Sequence, residues 1–226
     1  MKSTTRPVKK KKQTGLNAIP ATYWLVGIVG VMVVLALIVL INSSRPATID
    51  TSQASGNVLG DANAPIRVDE FADFQCPVCG NFERRVLPQL EEKYIKTGKI
   101  KFAYNHFAFI GDESTRAAEA SECANDQGKF WEYAQTLYSN QAGENQGAFN
   151  DVKLEGFAQQ LGLNMDAYKA CMADRRYLAK IQRSNQYAQS HGVTGTPTLF
   201  VNGVMVNGNS LADIEKALLP FLNAGR

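Results

Sequence analysis

The chain has 226 residues, of which 45% are hydrophobic and 20% are charged, an ordinary composition for a globular protein. Its formal net charge of +3 is unevenly distributed, because residues 1–45 contain seven basic side chains and no acidic one. Residues 46–226 contain the other 17 basic side chains and all 21 acidic ones, so this part is slightly acidic. Its charge gives no support for a nucleic-acid partner, and we expect none.

The N-terminal region combines a basic tail, residues 1–20, with an apolar segment, residues 21–41, that contains no charged residue. At about 1.5 Å per residue, a helix over this segment spans roughly 30 Å, the thickness of the hydrocarbon core of a bilayer. We therefore predict a transmembrane signal anchor over 21–41. The alternatives are a cleaved signal peptide, whose apolar region is usually shorter, and a buried core helix.

The flanks of the apolar segment predict its orientation. Lys9–Lys12 precede it, whereas only Arg45 follows closely, so the positive-inside rule keeps the N-terminus in the cytoplasm. The rest of the chain is then extracytoplasmic, where disulfides form and persist. Residues 42–57 are polar and small without apolar periodicity, and we interpret them as a flexible tether.

Strand patterns mark both ends of the domain that we predict over 58–226. The segments with strand character are 66–71, 99–107, 198–201 and 204–206. Asn202-Gly203 is a strong hairpin signal between the last two.

Helical patterns fill the space between these strands. A helix begins at Cys76, with Phe82, Val86 and Leu90 on one face and a kink expected at Pro88. Residues 113–191 are helical in pattern, with breaks near 141–146 and at Gly162. Ser210 and Asp213 resemble a capping box that opens a last helix through Leu219. The order predicts an α/β core with a helical insertion.

The motif Cys76-Pro77-Val78-Cys79 lies at the predicted strand-to-helix junction. There the free N–H groups and the dipole of the helix favour a thiolate on Cys76, and Cys79 lies on the same face three residues later. Half of a zinc site is an alternative, but structural zinc takes four ligands and the other Cys and His residues are scattered. A structural disulfide would stabilise little by closing so short a loop. The motif favours a redox-active pair, and we expect neither a metal nor a cofactor.

A second motif, Gly195-Thr196-Pro197-Thr198, directly precedes a predicted strand. A Thr-Pro bond there can be cis, and a cis proline in a fixed place is usually functional. Taken alone the signal is weak, but together with an upstream Cys-x-x-Cys motif it is strong.

Three segments together resemble the DsbA-like thioredoxin family, in particular its membrane-tethered branch with a long helical insertion. They are EFADFQCPVC at 70–79, AEASECANDQGKFWEYAQTLYSNQ at 118–141 and GVTGTPTLFVNG at 192–203. The resemblance implies a thioredoxin-like fold, a central β-sheet flanked by helices, interrupted by a helical insertion over about 113–191. It also implies that Cys76 is an exposed nucleophile, that Cys79 is its partner and that a cis Pro197 lies beside them.

The resemblance extends to residues that support this pair. Glu70 matches an acidic residue on the first strand beneath the motif, where it could relay protons to Cys79; an ordinary strand charge is the alternative. Val78 stands where the strongest oxidases of the family have a histidine that stabilises the thiolate. The backbone of Thr196, before Pro197, is expected to pair with an extended client segment.

The two remaining cysteines, Cys123 and Cys171, lie 48 residues apart within the helical block. Relatives of this branch often carry a cysteine at both places, and the compartment is oxidising, so we expect a structural disulfide between them. Two buried free thiols and a second redox relay are the alternatives.

We therefore expect an extracytoplasmic protein disulfide oxidoreductase that introduces disulfides into exported clients with cysteine thiols. The resemblance implies a DsbB- or VKOR-like membrane partner that re-oxidises the pair, and we expect a monomer. A thiol reductase or isomerase fed by a membrane electron donor is an alternative. A non-catalytic, tethered chaperone-like module is another.

Overall fold

The computed structural model of the protein describes residues 21–43 and 49–224. The first of two compact units, Met1–Arg45, contains helix α1 over Ala21–Ser43, and the predicted basic tail 1–20 lies outside the described residues. Apolar side chains of α1 such as Trp24 and Leu35 are exposed. Within the described ranges, no helix was identified that is both long and apolar enough to cross a membrane.

The second unit, Pro46–Arg226, is built on one mixed six-stranded sheet. Its strands are β1 (Ala54–Ser55), β2 (Val58–Leu59), β3 (Ile66–Ala72), β4 (Ile100–His106), β5 (Thr198–Val201) and β6 (Val204–Met205). Their order across the sheet is β1-β2-β4-β3-β5-β6. Only β3 and β4 are parallel, and every other neighbouring pair is antiparallel.

Within the described residues of this unit, eight α-helices surround or extend the sheet. They are α2 (Pro77–Arg85), α3 (Leu87–Leu90), α4 (Asp112–Asn125), α5 (Phe130–Ser139), α6 (Asp151–Gln160), α7 (Met165–Ala173), α8 (Leu178–Ser190) and α9 (Leu211–Ala224). The β3-α2-β4 unit and the β5-β6-α9 unit form the thioredoxin-like core. Helices α4–α8 form the insertion between them. The thioredoxin-like α/β part of the predicted fold is therefore confirmed.

The central strand β3 separates two apolar clusters, because alternate side chains point to opposite faces of a sheet. Val68 belongs to the larger cluster, which also contains Cys79 and Phe82 of α2. Phe71 belongs to a smaller cluster on the other face, with Ala188 of α8. Glu70, two residues after Val68, therefore points toward the side of α2.

A disulfide joins Cys123 in α4 to Cys171 in α7, with the two Cα atoms 5.9 Å apart. This separation lies within the usual range for disulfides. The bond connects the first helix of the insertion to its fourth.

The predicted tether 42–57 is wrong over its described parts, 42–43 and 49–57, because 42–43 end helix α1 and 49–57 belong to the folded domain. Ile49 is buried, Thr51–Gln53 form one 3-10 turn, and β1 pairs with β2. These residues fold onto the domain because β2 continues the sheet beside β4, with Val58 opposite Ala103. Residues 44–48 of the predicted tether lie outside the described residues.

The predicted kink at Pro88 is a break between two helices. Helix α2 ends at Arg85, and Pro88 lies in the first turn of α3. A proline fits there because a backbone N–H in the first turn has no partner within the helix. One π-helical turn, Glu91–Ile95, follows α3 directly.

Candidate active site

Cys76 is the N-cap residue of α2, with Pro77 in the first turn. The backbone N–H of Cys79 points at Cys76 Sγ, at an N–S distance of 3.5 Å. The N–H of Gly80 donates to the carbonyl oxygen of Cys76 at 3.1 Å, which is the first hydrogen bond of the helix. Cys76 Sγ therefore lies where the start of the helix stabilises negative charge.

The two thiols of the motif are free, and their pKa values move in opposite directions. The hydrogen bond from the Cys79 thiol lowers the pKa of Cys76 to about 6, against burial, which raises it. Burial raises the pKa of Cys79 well above its usual value, and its hydrogen bond to Cys76 adds to this. At neutral pH the reduced pair therefore carries one thiolate, on Cys76.

The loop before β5 covers Cys76. The bond between Thr196 and Pro197 is cis, as expected, and Cys76 Sγ lies 3.3 Å from the carbonyl oxygen of Thr196. The hydroxyl of Thr198 donates to the carbonyl oxygen of Gly195 at 2.7 Å and fixes the loop across the proline. The structure thus brings Thr196 and the Cys76 sulfur together.

The exposure of the motif differs from the expectation of an exposed nucleophile. Cys76 is only 6% exposed and Cys79 is fully buried, because the Thr196 loop lies against the sulfur of Cys76. Val78, at 47% exposed, is the part of the motif that faces solvent. Access from solvent to Cys76 Sγ is therefore limited to the side where Val78 and Thr196 lie.

Two carboxyl groups are buried close to the thiol pair, and the sequence predicted only one of them. Glu70 on β3 is 1% exposed and Glu83 on α2 is 3% exposed. Burial, followed by the nearby charge of Glu83, raises the pKa of Glu70 well above its ordinary value. Burial raises the pKa of Glu83 to about 8. Glu83 follows Cys79 by four residues on one helix face, which is the signal that could have identified it.

The residues before Cys76 are tied to the insertion by a buried polar network that the sequence did not reveal. The Asp73 carboxylate accepts hydrogen bonds from the Ser114 hydroxyl at 2.6 Å and from the backbone N–H of Phe109 at 3.0 Å. The side-chain amide of Gln75 donates to the Ser114 hydroxyl at 2.9 Å and to the Asn145 side chain at 3.2 Å. These contacts fix the loop that carries Cys76 against α4 and the loop after α5.

A second buried polar cluster, away from the motif, joins three elements. The Glu122 carboxylate of α4 lies 3.0 Å from Nε2 of His106 on β4 and accepts from Lys180 Nζ of α8 at 2.6 Å. Burial by itself raises the pKa of Glu122, but the hydrogen bonds and charges of His106 and Lys180 outweigh it and lower the pKa to about 2. His106 therefore has a structural partner. In residues 21–43 and 49–224, no group of three or more His, Cys, Asp or Glu side chains is placed to hold a metal.

A thioredoxin-like fold with a Cys-x-x-Cys pair at the start of a helix beside the sheet defines the thioredoxin-fold thiol–disulfide oxidoreductases as a class. A model of the thioredoxin family matches residues 52–219 of the chain. The chain therefore belongs to the thioredoxin family, as a DsbA-like protein disulfide oxidoreductase.

Three similar proteins support this assignment. The probable disulfide bond formation protein D of Bacillus anthracis is 28% identical over 191 residues, which cover 79% of this chain and 88% of that protein. The crystal structure of oxidised BdbD from Bacillus subtilis has a TM-score of 0.69 and 24% identity, covering 79% of this chain and 97% of that one. The crystal structure of alpha-DsbA1 from Wolbachia pipientis has a TM-score of 0.64 and 26% identity, covering 73% and 89%.

Proposed function

We propose that the protein is an extracytoplasmic disulfide oxidase, in which the oxidised Cys76–Cys79 pair introduces disulfides into exported client proteins. The observation that carries this proposal is the environment of Cys76. Its thiolate is favoured by the Cys79 hydrogen bond and by the start of α2, so the reduced form of the pair is stabilised. A disulfide is a strong oxidant when its reduced, dithiol form is stabilised, because its reduction by client thiols is then favourable.

In the first step, a client thiolate attacks Cys76 Sγ of the oxidised pair. A bond forms between the client sulfur and Cys76, the Cys76–Cys79 bond breaks, and Cys79 leaves as a thiolate that takes up a proton. Burial disfavours a charged Cys79. Glu70 and Glu83, both held in their protonated form by burial, are the proposed proton donors.

In the second step, another client thiolate attacks the client sulfur of the mixed disulfide. The client then holds a disulfide and has lost two electrons and two protons. The Cys76–Cys79 pair has gained the two electrons and, on Cys79, one proton, and the other proton has passed to solvent. Cys76 leaves as a thiolate, and the low pKa of this leaving group speeds the step. Because the pKa of Cys76 is low and that of Cys79 is high, release of the oxidised client from Cys76 is favoured over a lasting mixed disulfide.

The Thr196 loop is the proposed docking element for the client. We propose that an extended client segment pairs with the backbone of Thr196 beside Cys76. Pro197 contributes no N–H next to the sulfur, and Pro77 fixes the first turn of α2. Val78 is the exposed side chain that a client meets first.

We further propose that the protein is a monomer held at the membrane by residues 21–41, with its N-terminus in the cytoplasm. The support is in the sequence, which has 21 uncharged residues after a lysine cluster. A quinone-linked, DsbB- or VKOR-like membrane protein is the proposed oxidant of the reduced pair. Alkaline extraction and protease protection in intact cells test the anchor, and release into the soluble fraction would contradict it.

The oxidase proposal is tested with full-length protein in detergent and a reduced dithiol peptide. The oxidised protein should convert the peptide to its disulfide form, Cys76→Ser should abolish the transfer, and Cys79→Ser should accumulate mixed disulfides through Cys76. A reduction potential near that of thioredoxin, about −270 mV, would favour the reductase alternative instead. Client binding without any peptide oxidation would favour the chaperone-like module.

A further inference from the structure

The side chain of Gln141, in the loop after α5, contacts the backbone that carries the reactive thiol. Its Nε2 donates to the carbonyl oxygen of Phe74 at 2.8 Å and to that of Cys76 at 2.9 Å. A carboxamide nitrogen has two hydrogens, so both of its donors are used on the same short loop. Gln141 lies 65 residues after Cys76 in the sequence and belongs to the insertion.

Gly80 provides the room that this contact needs. A Cβ atom at Gly80 would collide with Oε1 of Gln141 and would lie 2.9 Å from Nη1 of Arg84, so a larger residue would displace the carboxamide and crowd the guanidinium. The N–H of Gly80 donates to the same Cys76 carbonyl oxygen at 3.1 Å. This oxygen therefore accepts one hydrogen bond from its own helix and one from the insertion.

The orientation of the first turn of α2 determines which backbone N–H groups point at Cys76 Sγ. The N–H of Cys79 points at Sγ only while residues 76–79 keep their helical turn. We propose that Gln141 is a positioning residue for thiol–disulfide exchange, whose carboxamide holds the first turn of α2 so that the Cys79 N–H stays directed at Cys76 Sγ. This inference depends on the proposed role of Cys76 as the nucleophile.

The contacts of Gln141 differ from those of Asp73 and Gln75, which hold the loop before α2 in place. Asp73 and Gln75 fix the residues before Cys76, whereas Gln141 contacts the backbone of Cys76 itself. Glu70 is the buried carboxyl group whose pKa responds to the charge of Cys76, and replacing the neutral Gln141 leaves this group in place. A change in the titration of Cys76 then reports on geometry rather than on an altered charge.

The test compares three full-length variants, Gln141→Leu, Gly80→Ala and Gln146→Leu. The first removes both donated hydrogen bonds at nearly constant side-chain size, and the second displaces the carboxamide. Gln146 is the matched control, because it is an exposed glutamine of the same loop that donates to the carbonyl oxygen of Glu144. Three quantities are measured: the pH dependence of Cys76 alkylation by iodoacetamide, the redox equilibrium with glutathione, and the melting temperature.

We expect Gln141→Leu to raise the apparent pKa of Cys76 by about 0.5–1, since the Cys79 N–H would no longer be held on Cys76 Sγ. The glutathione equilibrium should move about threefold to tenfold toward a weaker oxidant. Gly80→Ala should shift both quantities in the same direction, and Gln146→Leu should shift neither.

An unchanged Cys76 pKa and redox equilibrium in Gln141→Leu, whatever its melting temperature, would overturn the proposal. If this variant does not fold, unchanged values in Gly80→Ala would overturn it equally. The proposed function fails in a different experiment, if the wild-type protein does not oxidise the dithiol peptide. The pH dependence of Cys76 alkylation still tests the role of Gln141 in that case.

Discussion

Glu70 and Glu83 interact in the interior, and Glu83 lies one helical turn after Cys79. None of their four carboxyl oxygens has a hydrogen-bond partner within the described structure. Such groups are costly to bury, and each avoids most of the cost at neutral pH by remaining protonated. A protonated carboxyl group near a buried thiolate can give it a proton, which moves the single negative charge and adds no second one to the interior. This arrangement makes the stability of the protein depend on pH.

The first prediction concerns Glu83, whose pKa is raised by burial to about 8. Because the folded state holds this proton more tightly than the unfolded state, its favourable contribution is complete below about pH 4.5 and is lost as the pH rises through 8. Glu83→Gln should therefore stabilise the protein by about 4–5 kcal/mol above pH 8 and change little near pH 4. Urea denaturation at several pH values measures this difference.

The exposed Glu144 provides the control for Glu83. Glu144→Gln should leave the stability profile within about 0.5 kcal/mol of the wild type. A gain from Glu83→Gln of the same size at pH 4 and pH 8 would show that its carboxyl titrates normally.

Glu122 should behave in the opposite way, because its pKa is lowered to about 2. Its contribution is present above the unfolded value of about 4.5 and is lost as the pH falls through 2. Glu122→Gln should destabilise the protein by about 2–3 kcal/mol at pH 7 and flatten its acid unfolding curve. Glu92→Gln, which breaks a surface pair with Lys96, is the control and should cost less than 1 kcal/mol. If Glu122→Gln lost the same free energy of unfolding at every pH, the pKa of Glu122 would not be lowered by folding.

The disulfide between Cys123 and Cys171 should stabilise the fold without taking part in client oxidation. Closing a loop of 48 residues contributes roughly 4 kcal/mol in the chain-entropy model. The double variant Cys123→Ala, Cys171→Ala should lose about that much free energy of unfolding and still oxidise the dithiol peptide. Urea denaturation and peptide oxidation are measured on one preparation of the double variant. A variant that is stable but does not oxidise the peptide would instead support a redox relay through Cys123 and Cys171.

The titration of the reduced pair is the most direct prediction. Alkylation of the reduced protein should reach half its maximal rate near pH 6, with the label on Cys76, because the Cys79 hydrogen bond lowers the pKa of Cys76. Cys79 should resist alkylation across the same range, since burial raises its pKa. Mass spectrometry identifies the labelled residue, with Cys76→Ser as the control. Labelling of Cys79 first would reverse the assignment.

Local patterns predicted the parts of the protein that local physics determines. The cysteine motif was expected to begin a helix, and Cys76 is the N-cap of α2. Thr198–Val201 and the Ser210–Asp213 cap were found where they were expected. Strands β1 and β2 were missed because two residues each are too few to show alternation.

Features that depend on distant contacts could not be predicted. The spacing of Glu83 from Cys79 indicates a shared helix face, but the burial of Glu83 depends on elements packed against α2 that no local pattern names. Gln141 contacts a loop 65 residues earlier in the chain, and no spacing rule connects the two. The burial of Cys76 likewise depends on Thr196, which is 120 residues away.

The pairing of β3 with β5 has a consequence for how the chain is made. Val68 lies opposite Val201, so the central strand completes its hydrogen bonds only when a segment 133 residues later has been synthesised. Until then one edge of β3 is open, although its other edge already pairs with β4 in a shorter-range contact. Open strand edges invite pairing with other chains, and late closure slows folding. A chain that stops before Thr198 therefore does not merely lose its periphery. It leaves the backbone of its innermost strand available to aggregate.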